Sequence, residues 1–156
     1  MSIIDFDELS QEITAILKKE TTIALATALN NKVTARTMSH VNDGLIIYFP
    51  AGESSEKMCQ IKSNPTVACT IGNIQIEAKA EVCGNFSENP HFKKLYETKF
   101  PRYFETYKIL GNEVVIKITP TKIKLWKYFD GVPCFEIVDL INKCAYREEQ
   151  TYFNRK

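Results

Sequence analysis

The chain has 156 residues, a length that reads as one domain over 1–156. A domain of this size buries roughly 70% of the surface its unfolded chain exposes, and 44% apolar with 25% charged residues supplies such a core without a metal or disulfides. With 20 basic against 19 acidic residues the net charge is only +1, which argues against nucleic-acid binding, since that needs many phosphate contacts.

The five cysteines are odd in number and contain no C-x-x-C. The N-terminus opens on acidic, amphipathic sequence rather than a signal peptide, and no apolar run reaches the roughly 18 residues of a membrane span. A cytoplasmic protein with reduced thiols and no membrane partner is the expectation.

Asp5 to Lys19 reads as a helix, with Phe6, Leu9, Ile13, Ile16 and Leu17 on one stripe and Asp5 with Glu8 resembling a capping box. The period then changes to two. Thr21–Ala28 and Lys32–Ser39 are strands around a turn at Asn30-Asn31, and Asn42-Asp43-Gly44 is a hairpin signal before a strand over Leu45–Phe49. A short helix runs from Ser54, with Ser54 or Ser55 as its cap, to about Ser63, where Asn64-Pro65 stops it. Strands follow at Thr66–Ile71 and Ile74–Cys83, then a helix from Ser87 to about Thr98. Glu113–Tyr128 reads as two strands broken at Pro120, and Phe135–Arg147 as a final helix or irregular tail. The order predicts a mainly β protein with flanking helices, its antiparallel sheet closed into a small barrel.

G-x-G-x-x-G, P-loop and G-x-S-x-G motifs are absent, and His40 and His91 are too few for a histidine-rich metal site; His40 reads as structural or merely exposed. No metal is expected. From Lys93 to Tyr128 nine basic residues face Glu97, Glu105 and Glu113, either a solvated face or a surface that attracts an anion. One constellation remains. Arg36 lies mid-strand, and Lys57 lies in the first turns of the helix behind Ser54-Ser55. A guanidinium, an ammonium, hydroxyls and helix N-terminal amides together suit a phosphate monoester, whereas a lone mid-strand arginine is more often an outward-facing surface residue.

Four segments in order, ALATALNNKVTARTMS, YFPAGESSEKMCQIKSNPTVA, NIQIEAKAEVCG and ITPTKIKLWKY, resemble the pyridoxamine 5'-phosphate oxidase-like family of split barrels that bind flavin mononucleotide (FMN). The resemblance covers about residues 20–128. It implies an antiparallel split β-barrel and a homodimer with flavin at the interface. Arg36 and Lys57 would hold the FMN phosphate, Ser55 would add a hydroxyl, and backbone of Thr37, Met38 and Ser39 would line the isoalloxazine edge. Asn73 falls where the family often has a glutamine reaching the flavin from the partner subunit, and Trp126 matches a tryptophan from that same partner.

Two departures stand out. Where the oxidase proper has Ser-Arg-Lys, this chain has Glu56 between Ser55 and Lys57, which removes a cation and adds a negative charge unless its side chain points away. After Trp126 the oxidase's Arg-x-His pair is replaced by Lys127-Tyr128-Phe129-Asp130-Gly131, so the vitamin B6 reaction is not predicted. The expected function is an FMN-dependent oxidoreductase passing electrons from NADH or NADPH to a small organic acceptor, with Tyr103, Phe104, Tyr107, Tyr128 and Phe129 as walls of an aromatic pocket. The alternative is a non-catalytic module that binds flavin or another cofactor, the deazaflavin F420 and haem being known among relatives.

Overall fold

The computed structural model describes residues 1–103, 105 and 112–150. Helix α1 (Phe6–Lys19) begins as its sequence dictates: the Asp5 carboxylate accepts from the Glu8 amide at 2.8 Å, and Leu9, Ile13 and Leu17 turn inward. Its C-terminal end is closed from outside, because the Lys99 ammonium donates to the carbonyls of Leu17 and Glu20. That ammonium is pushed down to about 8 by burial, an effect Glu20 partly offsets.

Strands β2 (Thr22–Leu29) and β3 (Lys32–Ser39) form a hairpin whose two turn residues, Asn30 and Asn31, both take positive φ, the conformation a tight hairpin demands. Strands β4 (Val41–Asp43) and β5 (Ile46–Gly52) form a second hairpin, with Gly44 at φ +58° in its turn. Helix α2 (Glu56–Ser63) precedes β6 (Thr66–Ile71) and β7 (Ile74–Asn85). The next helix starts later than the sequence suggests. A 3-10 turn at Phe86–Glu88 comes first, and α3 (Pro90–Lys99) opens on Pro90, which suits a first helical turn.

Strand β8 (Glu113–Phe129) corrects the expected break at Pro120. It runs through the proline, because Glu77 pairs with Lys122 while Ala78 pairs with Pro120, leaving Thr121 as an extra residue in a bulge. The expected final helix or irregular tail at Phe135–Arg147 is also wrong. That stretch is a hairpin of β9 (Val132–Asp139) and β10 (Cys144–Glu149), and β10 pairs with β1 (Ser2–Ile4), a strand the sequence did not announce.

All pairings are antiparallel, in the order β1-β10-β9-β8-β7-β6-β2-β3, with β5 joining β8 to β4. The expected closure does not occur, since no hydrogen-bonded ladder links β3 back to β4 or β5 among the described residues. The split comes from β8, which pairs with β5 through Glu113–Ile118 and with β9 through Lys122–Phe129. The change of partner falls at the Pro120–Thr121 bulge, where the ladder is interrupted and the strand bends. Inside lies a core of aliphatic residues from α1, α2 and the inner faces of the strands. A second, aromatic core of Phe92, Tyr96 and Phe100 packs under α3 against Val41 and Val115.

Candidate functional site

Alternation along β3 turns Thr34, Arg36 and Met38 toward the interior and leaves Val33, Ala35 and Thr37 on the outer face. Arg36 sits opposite Leu25, beside the similarly inward Thr27 of β2. Its guanidinium donates to Thr27 Oγ1 at 2.7 Å, to Thr34 Oγ1 at 2.5 Å and, at 3.4 Å, to the Leu25 carbonyl. Both threonine hydroxyls in turn donate to Oε1 of Gln60 on α2, at 2.5 and 2.9 Å. Arg36 is therefore no outward surface residue; it is braced against the helix that carries Ser55 and Lys57.

Ser55 precedes the first turn of α2 in extended backbone, but its hydroxyl makes no capping bond. Its Oγ is buried without a hydrogen-bond partner. Half-buried Lys57 lies close enough to Arg36 for repulsion: burial and then the Arg36 charge lower its ammonium, while Glu113 raises it in part. Two cations near one another and an orphaned hydroxyl at a helix start form a corner short of an anion, and these donors fit a phosphate monoester. Glu56 leans to the solvent side, paired with Lys32 at 3.2 Å, and its carboxyl is lowered by that bond, by the Lys32 charge and, to a lesser degree, by Thr34 and Arg36. It does not turn fully away from the corner.

Among the described residues strand β3 pairs only with β2, so one row of its backbone N–H and C=O groups has no ladder partner there along the segment that includes Thr37, Met38 and Ser39. Met38 itself packs against the core.

Asn73, in the β6–β7 turn, and Trp126, on β8, are brought together elsewhere, with β2 and β6 between that turn and β3. The Trp126 amide donates to the Asn73 carbonyl at 3.0 Å, and the Asn73 side-chain amide donates to the Trp126 carbonyl at 2.7 Å. The half-buried indole meets Phe135 edge-on at 4.8 Å and Tyr128 at 5.8 Å. The expected aromatic pocket does not assemble among the described residues. Tyr103 meets Phe100 edge-on, Tyr128 meets Trp126, and Phe129 lies beneath the Arg147 guanidinium, while Phe104 and Tyr107 fall outside the described residues.

Thr27, Thr34 and Gln60 were not singled out from the sequence. The available signal was hydroxyls at inward positions of alternating strands, and a glutamine three residues after Lys57, one turn along the same helix. His40 is fully buried; its Nε2 bonds the Leu17 carbonyl, and burial, then Lys99, pushes it down to about 4. No metal-binding cluster occurs among the described residues.

These features define a split-barrel protein with a cationic corner at Arg36 and Lys57. A family model for pyridoxamine 5'-phosphate oxidase matches residues 9–127, and the chain belongs to that family, lacking the oxidase's Arg-x-His after Trp126. Among solved structures, a candidate pyridoxamine 5'-phosphate oxidase from Listeria innocua is 27% identical, with a TM-score of 0.63 over 75% of this chain and 97% of that one. An FAD-binding protein from Mesorhizobium loti shares the fold at 12% identity and TM-score 0.59, over 72% of this chain and 90% of that one. HutZ, the haem storage protein from Vibrio cholerae, shares it at 14% identity and TM-score 0.62, over 70% and 88%. A search of curated proteins found no match.

Proposed function

We propose that this chain is a homodimeric FMN-binding flavoprotein acting as an oxidoreductase, with NADH or NADPH as electron source and a small organic molecule as acceptor. The observation that carries the reading is the anion-deficient corner: Arg36 and Lys57 repel each other beside the unpartnered Ser55 hydroxyl. A phosphate there would be gripped by the guanidinium and ammonium and would give the Ser55 hydroxyl an acceptor. The free backbone edge of β3 at Thr37–Ser39 would meet the polar edge of the isoalloxazine. Bound FMN supplies a two-electron acceptor at N5, so the chain needs no acid or base of its own and serves to orient the ring.

The homodimer is supported by the outer sheet face. Ala24, Ala26, Ala35 and Ala68 line a shallow hollow of ≈ 350 Å³, beside Val33, which is 68% exposed. Small side chains on such a face let a second sheet approach closely. In that arrangement Asn73 and Trp126 of one protomer would approach the flavin held by the other. A cytoplasmic location is supported by five free thiols, and no helix among the described residues is long and apolar enough to cross a membrane.

A cofactor-binding module without turnover is the second reading. Glu56 favours it, because a carboxylate within reach of Arg36 competes with a phosphate; F420 or haem would then be alternative cofactors. The test is an absorbance spectrum of purified protein before and after anaerobic NADPH or NADH. Flavin bands that bleach support the oxidoreductase, and bands that persist support the binding role. A Soret band would assign haem, and a colourless protein that takes up no FMN would overturn the assignment of Arg36 and Lys57. A monomer that binds flavin in sedimentation would overturn the shared site.

A further inference from the structure

We infer that Gln60, acting through Thr27 and Thr34, is a positioning residue that makes the corner selective for a phosphorylated flavin. The inference rests on the FMN reading above and adds to it the residue that sets its phosphate specificity.

Donor and acceptor capacity sets the direction of these contacts. A guanidinium can only donate, so Thr27 Oγ1 and Thr34 Oγ1 are acceptors toward Arg36, and each hydroxyl proton must find a different acceptor. Thr27 is 1% exposed and has no water to use. Gln60 is 4% exposed, and its carbonyl oxygen has two lone pairs, enough to receive both protons. Arg36 therefore donates into the threonine pair and Gln60 accepts from it, with Thr34 also 3.3 Å from Thr27 and hydrogen-bonded to the Glu56 carboxylate.

This brace has a geometric consequence. Arg36 stands on β3, whereas Ser55 and Lys57 stand just before and on α2, so nothing in either element alone fixes one against the other. Gln60 ties the β2–β3 hairpin to α2 through side chains only. Through those two threonines it holds both ends of the guanidinium fork, fixing its plane while leaving N–H groups over for an anion. Lys57 repels Arg36, so without the brace the guanidinium would swing away from the corner.

The experiment is flavin-fluorescence quenching on apoprotein, measuring Kd for FMN and for riboflavin, which differ only in the phosphate. Wild type should bind FMN more tightly. Q60M removes the acceptor at nearly constant volume, and the FMN preference should fall about tenfold with riboflavin affinity unchanged, the size of one charge-assisted contact. Q60E keeps an acceptor oxygen and should retain more of the preference than Q60M. T34V removes one link and should lower the preference in the same direction; it decides the matter if Q60M does not fold. Equal loss of FMN and riboflavin binding, or an unchanged preference in Q60M and T34V, would overturn the inference. A wild type that binds neither flavin, or both equally, would instead overturn the FMN reading itself.

Discussion

At the C-terminal half of β8, Lys127 is surrounded by carboxylates, whereas at the start of α2 Lys57 has an arginine for a neighbour. The Lys127 ammonium reaches Glu136 at 2.5 Å and Glu12 at 2.7 Å, and Glu136, 4% exposed, also accepts from Arg147 at 3.0 Å. Burial alone would lower Lys127, but its bonds to Glu12 and Glu136 outweigh that and hold it above its ordinary value. Burial would raise Glu136, and Lys127 and Arg147 outweigh that and lower it. At Lys57, burial and Arg36 act in the same direction, downward. One corner is internally neutralised and pins α1 and the β9–β10 hairpin to β8. The other sets two cations side by side, with Glu113 and Glu56 offsetting them only in part.

The contrast breaks first at Glu136. Glu136→Gln should destabilise the protein by about 3 kcal/mol, the lower end for breaking a buried ion pair, because Lys127 keeps Glu12 and Arg147 is partly exposed. Urea denaturation measures it, and FMN affinity should stay unchanged. A neutral result would mean the network is a surface ornament rather than a clamp.

Burial without a neutralising partner is tested by His40. Its folded value of about 4 lies below the ordinary 6.5, so folding favours the neutral ring. Its contribution is complete above about pH 6.5 and disappears as pH falls toward 4, costing about 2–3 kcal/mol. Thermal midpoints across this range should fall in wild type and be flatter in His40→Gln; parallel curves would discount the histidine.

The opposite corner should respond in binding, not stability. Lys57→Met should weaken FMN about 30-fold, roughly 2 kcal/mol, while the apoprotein is as stable as wild type or more so, because a repulsive contact is gone. Titration and melting of the same sample check both halves, and a destabilised apoprotein would show that Lys57 is structural. The smallest effect belongs to Ser55→Ala. An ordinary N-cap serine removed costs about 1 kcal/mol of stability, but this hydroxyl makes no capping bond. Stability should be nearly unchanged and FMN weakened several-fold, roughly 1 kcal/mol.

Much of this architecture was legible where side chains alternate. The β2–β3 hairpin, with Asn30 and Asn31 in its turn, shows one buried and one open face, which a period of two records directly. Strand β9 does not. Cys134, Glu136, Ile137 and Val138 are all buried, so both faces are covered and the alternation that marks a strand is lost. The turn that follows it is equally inconspicuous. It uses Lys143 at φ +53°, and the Asp139 carboxylate accepts from the amides of Ile141 and Asn142, with no Gly or Pro to mark it.

The sequence by itself determined the strand-rich class, the capped first helix and the start of α2 behind Ser55, because periodicity and helix-start chemistry are local. Tertiary structure decided that β8 passes through Pro120 and changes partner there, leaving the barrel split. It also decided that Glu136 cancels Lys127 while nothing cancels Arg36 and Lys57 fully, and that Gln60 joins them through two threonines. Whether a buried charge is neutralised depends on groups 9 to 115 positions apart meeting in space, and no local pattern encodes that distance.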